Sequence, residues 1–496
     1  MSSGFGRVSS GFGRVSSGFG HASSGLGRAE FRSRSERRRR QASRMASMDP
    51  DLRSIHVHGD LTGDPEALAL AATDFGHIVA DRPQAVLRPG SATDIGTILR
   101  FAAQRAIPVV PRGCGHTGYG QAQARDGIVI DMARLAAIGD IREDRVTVEA
   151  GATWADVLRA TLRHGLTPPV LTDYLDLTVG GTLSVGGLGG TSHRHGAQTD
   201  TVLALDAITP DGRQRGCSTT TSAELFHALL AGLGQCGVIT RATLRLIPAP
   251  SRVRRYKLSY SGVRLLTQMQ RRLLHARRFD HLQGQIAWSE HGWEYLLDAA
   301  TYYTPPEEPD DETTLDGLAP DSTRLAREDL SYWDFVDRLD DSVRELRQTG
   351  EWWHPHPWAN LLIPDYATDG FLARLLGELS PADLGAPGLL LVYPLFTEAL
   401  ATPLFRAPEE SVAFLVATLG YAPPHDPESV RRLIGTNRQW YEQARELGGT
   451  VYPVGAIPFG QDDFVDHYGP AWPALDAAKK RFDPRQILGS GLCRPE

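Results

Sequence analysis

The sequence predicts an α+β fold, and three observations predict it. Apolar residues recur at helical spacing in some segments and alternate in others, without a strict βαβ repeat. Two glycine-rich stretches, residues 112–120 and 179–191, interrupt that pattern. The character of the chain changes after Pro250, where Pro-, Asp- and Glu-rich and aromatic segments begin. At 496 residues the chain is too long for one ordinary core, so two or three domains are expected.

The elements follow in order, with the folded part expected to begin near Ile55. Ala85–Leu87 reads as a short strand and Pro89-Gly90 as a turn. Ser91 or Thr93 then caps a helix whose face is Ile95, Ile98, Leu99, Ala102 and Ala103. Ile107–Pro111 is a second short strand, and Ile128–Asp131 follows the first glycine-rich loop. Val146 and Val148 alternate with polar neighbours, as in a half-buried strand. Trp154, Val157, Leu158 and Leu162 mark another amphipathic helix. Beyond the second glycine-rich stretch, Val202–Thr209 is a strand, Asp211-Gly212 a hairpin turn and Glu224–Leu233 helical. Val238–Ile247 is a strand closed by Pro248 and Pro250. Residues 305–325 read as a surface loop and Arg431–Leu447 as a helix.

Composition narrows the class. Hydrophobic residues at 41% and charged residues at 22% fit a soluble globular protein. A net charge of −7 argues against general nucleic-acid binding. Residues 1–48 hold ten Arg and two Glu, a net of +8, which leaves −15 on the remainder. This tail repeats a seven-residue unit, SSGFGRV twice and then SSGFGHA and SSGLGRA. Gly and Ser cannot bury a core, so residues 1–48 are expected to be disordered and residues 1–44 to play no part in catalysis. Arg37–Arg40 precede no apolar segment of a secretory signal, so a cytoplasmic location is expected. Cys114, Cys217, Cys236 and Cys493 match no zinc site and no CxxC pair, and no metal is expected. No run of about eighteen apolar residues signals a membrane helix.

Two motifs carry chemistry. Pro111-Arg112-Gly113-Cys114-Gly115-His116-Thr117-Gly118 directly follows a strand, and its glycines let backbone N–H groups converge on an anion. No Gly-Lys-Ser/Thr follows, so it is no P-loop, and no dinucleotide GxGxxG spacing is present. The second is Thr172-Asp173-Tyr174 ahead of Thr178–Thr191, where six glycines between Gly180 and Gly190 read as a second close backbone approach to a pyrophosphate.

The stretches RGCGHTGYGQAQARDGIVIDM, LRATLRHGLTPPVLTDYLDLTVGGTLSVGGLGG and LLAGLGQCGVITRATLRLIPAP resemble cytokinin dehydrogenases, and HPHPWANLLIP, LLLVYPL and KRFDPRQIL continue the likeness. The resemblance covers most of residues 80–496. It implies a flavoenzyme of the vanillyl-alcohol-oxidase type: a PCMH-type two-subdomain FAD-binding domain with an α+β cap (substrate) domain on an antiparallel sheet. Residues 80–250 would form the FAD-binding domain, 251–445 the cap, and 446–496 a segment returning to the FAD-binding domain. The resemblance implies covalent FAD, with an 8α-histidyl link at His116. It carries FAD contacts onto Arg112, Gly113, Gly115, Thr117 and Gln121, then Asp173, Thr178, Ser184 and Leu188, and lastly Ile239. The hydroxyl of Thr117, where the family has Ser, keeps a hydrogen bond to the cofactor open. The family's Ser-Pro-Gly-Gln near the end is replaced by Gly489-Ser490-Gly491-Leu492.

The resemblance also implies a reaction. A hydride leaves the carbon beside N6 of a substituted adenine, and the resulting imine hydrolyses to adenine and an aldehyde. Asp173 would be the base that accepts and orients the substrate N–H. One departure bears on the substrate. The family's FDYVEGF segment, whose Glu meets the purine, is matched by Phe279–Gln285, with Gln283 in place of Glu at the substrate cavity. An amide both donates and accepts where a carboxylate only accepts. An FAD-linked oxidase of another amine, an alcohol or a sugar is the alternative. The expected partners are a small-molecule substrate and oxygen or a quinone as electron acceptor, without nucleic acid or membrane.

Overall fold

A computed structural model describes residues 48–318, 324–386 and 388–492. The heptads of the tail and Cys493 lie outside the described residues. Order begins earlier than Ile55: the helix Pro50–Arg53 is capped by Asp49, and Met48 and Leu52 are buried. Met48, assigned from sequence to the tail, thus belongs to the packed part, because a thioether and a Leu side chain find apolar cover there.

Helices and strands intermix as the periodicity predicts, and the strands gather into three main sheets. The first holds Asp60–Thr62, Ala85–Arg88, Ile128–Asp131 and Val109–Arg112 in that order, the last three parallel. Its core includes Leu68, Ala71, Val86, Val110, Ala124 and Val129. The helix Ala92–Arg105 buries Ile95, Ile98, Leu99 and Ala102. Ser91 sits at its N-cap but its side chain makes no capping bond. Asp94 anchors the first turn instead, accepting the backbone N–H groups of His58, Gly59 and Gly90 at 2.8–2.9 Å. A carboxylate in the first turn also suits the helix dipole.

The second sheet is antiparallel, ordered Ile138–Arg142, Arg145–Glu149, Val238–Arg245, Val202–Ile208 and Gln214–Cys217. Its helix stops at Leu229, four residues short of the expected end. Ala231 and Leu233 both adopt φ of +55°, which ends helical winding. The glycine-rich stretch contains a short helix, Val179–Leu183.

The third sheet has eight antiparallel strands: Arg324–Ser331, Arg252–Tyr260, Gly292–Tyr303, His281–Ser289, Leu389–Phe396, Val412–Leu419, Ala359–Pro364 and Thr450–Val451. The edge strand Thr450–Val451 lies past residue 445, where the returning segment is expected to begin. Two helices that the sequence reading does not single out, Val263–Ala276 and Asp365–Glu378, pack on this sheet. The region 305–325 is not all loop. Asp310 caps a short helix, Asp311–Leu315, and Asp311 pairs with Arg254 and Arg327 of two strands. Acidic residues that read as solvated are thus held by strand arginines.

The C-terminal segment returns to the first sheet, where Val109 donates to the Ile487 carbonyl at 2.7 Å. The fully buried Asp483 fastens it. Its carboxylate accepts Lys479 Nζ at 2.6 Å and the N–H groups of Ile487 and Leu488 at 3.1 and 2.9 Å. Asp483→Ala leaves a largely buried ammonium and two amides without that partner. A loss of about 3–5 kcal/mol is expected, seen as a lower urea midpoint; an unchanged midpoint would show that the latch is dispensable.

Among the described residues, four buried imidazoles besides His116 add a pH dependence. Burial pushes His356 and His467 down to about 3 and His193 and His281 down to about 4. In the unfolded chain each binds a proton below its usual pKa of about 6.5. Stability is therefore present above that value and is lost as pH falls, at roughly 1.4 kcal/mol per pH unit for each group. The urea midpoint should drop steeply below about pH 6; a level profile would contradict neutral burial.

Candidate active site

The loop after Arg112, the helix Val179–Leu183 and one face of the eight-stranded sheet enclose a cavity of about 570 Å³. That volume suits a small-molecule site, typically ~300–1,000 Å³. Strand alternation selects the wall: Leu389, Leu391 and Tyr393 reach the cavity, as do Leu415, Ala417 and Leu419. Leu390 and Val392 turn to the opposite face, where the Gln270 amide of a covering helix donates to the Val392 carbonyl at 2.6 Å.

His116 lies in an aromatic cage. Its ring stacks on Phe75 at 3.9 Å, and Phe75 stacks on His356 at 4.1 Å. Tyr174, Trp352 and Trp358 stand 5.1–5.9 Å from the imidazole. Burial, with a smaller push from the Arg347 charge, lowers its pKa to about 3. The imidazole is therefore neutral near pH 7 and keeps a free lone pair on one nitrogen.

Asp173 is gripped from both sides at the other part of the cavity. Arg338 Nη2 donates to its Oδ1 at 2.5 Å, and the Tyr393 hydroxyl donates to its Oδ2. The same Nη2 donates to Gln283 Oε1 at 3.1 Å. Burial works against the Arg338 charge, but Asp173 and Asp298 hold its pKa above the usual value. Burial, reinforced by Asp173, pushes the Tyr393 phenol well above its usual range.

Every residue assigned from sequence lines this one cavity: Arg112, Gly113, Gly115, His116, Thr117, Gln121, Asp173, Thr178, Ser184, Leu188, Ile239 and Gln283. Their polar groups are less free than expected. The Thr117 hydroxyl donates to Asp74 at 2.7 Å, and the Ser184 hydroxyl to the Gly180 carbonyl at 2.7 Å. The Gln121 amide is taken up by Tyr119 N–H and the Gly455 carbonyl. Gly180 and Gly181 line the cavity, whereas Gly186 and Gly190 do not and pack against protein side chains. A Cβ on Gly186 would meet the Phe405 ring at 2.2 Å, and one on Gly190 the His281 ring at 2.1 Å. Gly489 and Leu492 of the substituted C-terminal motif also line the cavity.

Sequence reasoning missed Arg338, Tyr393, Trp358 and Asn360. The alternation in LLLVYPL and in ANLLIP carries a signal for Tyr393 and Asn360. Arg338 sits in a run of alternating charges that reads as a solvated surface.

The residues present fit FAD. Arg112 lines the cavity and donates to the Thr73 carbonyl at 2.5 Å; Asp74 and Asp131 act on its charge from nearby, and a guanidinium at the cavity wall suits a phosphate anion. Gly115 holds φ at +72° beside that guanidinium. Asn360 Nδ2 is buried at the cavity without an acceptor among the described residues, which suits an acceptor-bearing ring.

Residues 83–218 match the family described as FAD binding domain, and residues 287–493 match the family described as cytokinin dehydrogenase 1, FAD and cytokinin binding. The chain is 44% identical to an uncharacterized oxidoreductase, ORF5 in the fasciation locus, of Rhodococcoides fascians, over 86% of this chain and 97% of that protein. It is 35% identical to cytokinin dehydrogenase 7 of Oryza sativa subsp. japonica, over 89% and 92% of the two chains. Identity to cytokinin dehydrogenase 2 of Arabidopsis thaliana is 31%, over 87% and 92%.

Proposed function

The chain belongs to the cytokinin dehydrogenase family of FAD-dependent oxidoreductases, and from that premise we propose that it oxidises the C–N bond of an N6-substituted adenine, with FAD joined to His116 through the flavin 8α carbon. What supports this most is that His116 and Asp173 share one cavity. Residues 80–250 and 446–496 would form the PCMH-type FAD-binding part and residues 251–445 the cap.

FAD, when bound, supplies the hydride acceptor. Arg112 would hold its pyrophosphate and His116 its ring. Asp173 accepts the substrate N–H and so orients the neighbouring carbon. Its four lone-pair sites leave two for substrate after Arg338 and Tyr393 have taken theirs. Leu391, Leu415 and Ala417 keep water from the carbon while it is oxidised. Water then cleaves the imine to adenine and an aldehyde. Oxygen or a quinone is the final electron acceptor in this scheme.

Anaerobic mixing of the holoenzyme with isopentenyladenine, zeatin and a panel of alcohols tests it, read as bleaching at about 450 nm. Bleaching by the adenines is expected. Bleaching by alcohols alone would assign the chain to FAD-linked oxidation of another substrate.

A further inference from the structure

Arg338 follows the helix Tyr332–Val336 and is built in on several sides. Its guanidinium lies over the Phe335 ring at 5.0 Å, and its Nη1 donates to the Phe335 carbonyl at 3.2 Å. Nη2 reaches both Asp173 Oδ1 and Gln283 Oε1. A guanidinium only donates. It therefore fixes the polarity of both neighbours: Asp173 must accept, and Gln283 must turn its carbonyl oxygen inward. His281 Nε2 lies 3.1 Å from that same oxygen. The amide nitrogen of Gln283 makes no hydrogen bond to a described residue, and Gln283, though only 2% exposed, lines the cavity. The carboxylate and guanidinium cancel in charge, so the group they receive is neutral.

We propose that Arg338 is a positioning residue which, through one nitrogen, sets Asp173 as an acceptor beside Gln283 as a donor, and so selects a neutral substrate with a hydrogen-bond donor at the oxidised centre and an acceptor atom close by. An N6-alkyladenine has that pattern, with its N6–H flanked by ring nitrogens. A simple alcohol or alkylamine lacks the second atom. This rests on the oxidation proposed above and specifies what the substrate must present.

The test uses holoenzyme and isopentenyladenine, followed anaerobically by flavin bleaching. Arg338→Ala should lower the limiting rate about 10- to 100-fold, the scale of hydrogen bonds to a charged group. Millimolar guanidinium should restore part of it, and Arg338→Lys should fall between. Gln283→Leu, which leaves the ion pair in place, should raise the half-saturating concentration about tenfold. Native-like rates in both Arg338 variants would overturn the proposal. So would a loss in Arg338→Ala that guanidinium does not relieve while Arg338→Lys is normal. A native flavin that isopentenyladenine fails to bleach would instead overturn the proposed oxidation, and this inference with it.

Discussion

His116→Ala is expected to yield a protein whose flavin leaves it entirely on denaturation. After acid treatment and electrophoresis under ultraviolet light, the native band should fluoresce and the variant band should be dark. The physical basis is the state of the imidazole. Burial lowers its pKa to about 3, so at pH 7 a neutral ring offers a lone pair for a bond to carbon. The cage fixes its direction, with Phe75 stacked at 3.9 Å on one face and Tyr174, Trp352 and Trp358 around it. Removing the ring leaves Arg112 and Asn360 in place. The variant should therefore still take up FAD reversibly, seen as yellow colour that is lost on dialysis or denaturation. A dark native band would show that FAD is not covalently held, and fluorescence that persists in His116→Ala would place the link at another residue.

How far the site could be read in advance depends on what holds each residue. The helix Trp154–Leu162 and the strand Arg145–Glu149 were legible because local periodicity decides their faces. The loop around His116 was legible because its word follows a strand at once. The second glycine-rich stretch divides: Gly180 and Gly181 line the cavity, and Gly186 and Gly190 do not. The latter two answer to Phe405 and His281, which the sequence places far away, so no local rule announces their packing. Arg338 was not legible either. The run Asp337-Arg338-Leu339-Asp340 looks like a solvated face, and its guanidinium is buried only because Asp173, 165 residues earlier, is folded against it. Likewise Ser91 or Thr93 reads as the cap from type and position, whereas the first turn is anchored by Asp94 through Gly59, just ahead of the first strand, and Gly90, in the turn before the helix. Local elements follow from local pattern, and the charged heart of the cavity follows from tertiary docking.

Asp173→Asn is expected to slow flavin reduction by roughly two to four orders of magnitude, the range for a positioned proton acceptor, while covalent flavin stays attached through His116. Asparagine keeps the shape but presents one carbonyl oxygen where the carboxylate presents two acceptors. If that oxygen faces Arg338, the new NH₂ faces the Tyr393 hydroxyl and the substrate donor, and the substrate N–H loses its acceptor. The change also removes the counter-charge of a buried guanidinium, at a cost of about 3–5 kcal/mol in stability. The two losses can be separated. Arg338→Met added to Asp173→Asn removes the stranded charge, so the urea midpoint should recover much of its fall. The reduction rate should not recover, because the acceptor is still missing. If Asp173→Asn bleaches as fast as the native protein with its best substrate, Asp173 is not the acceptor. If the rate returns with the midpoint in the double variant, Asp173 serves only to neutralise Arg338.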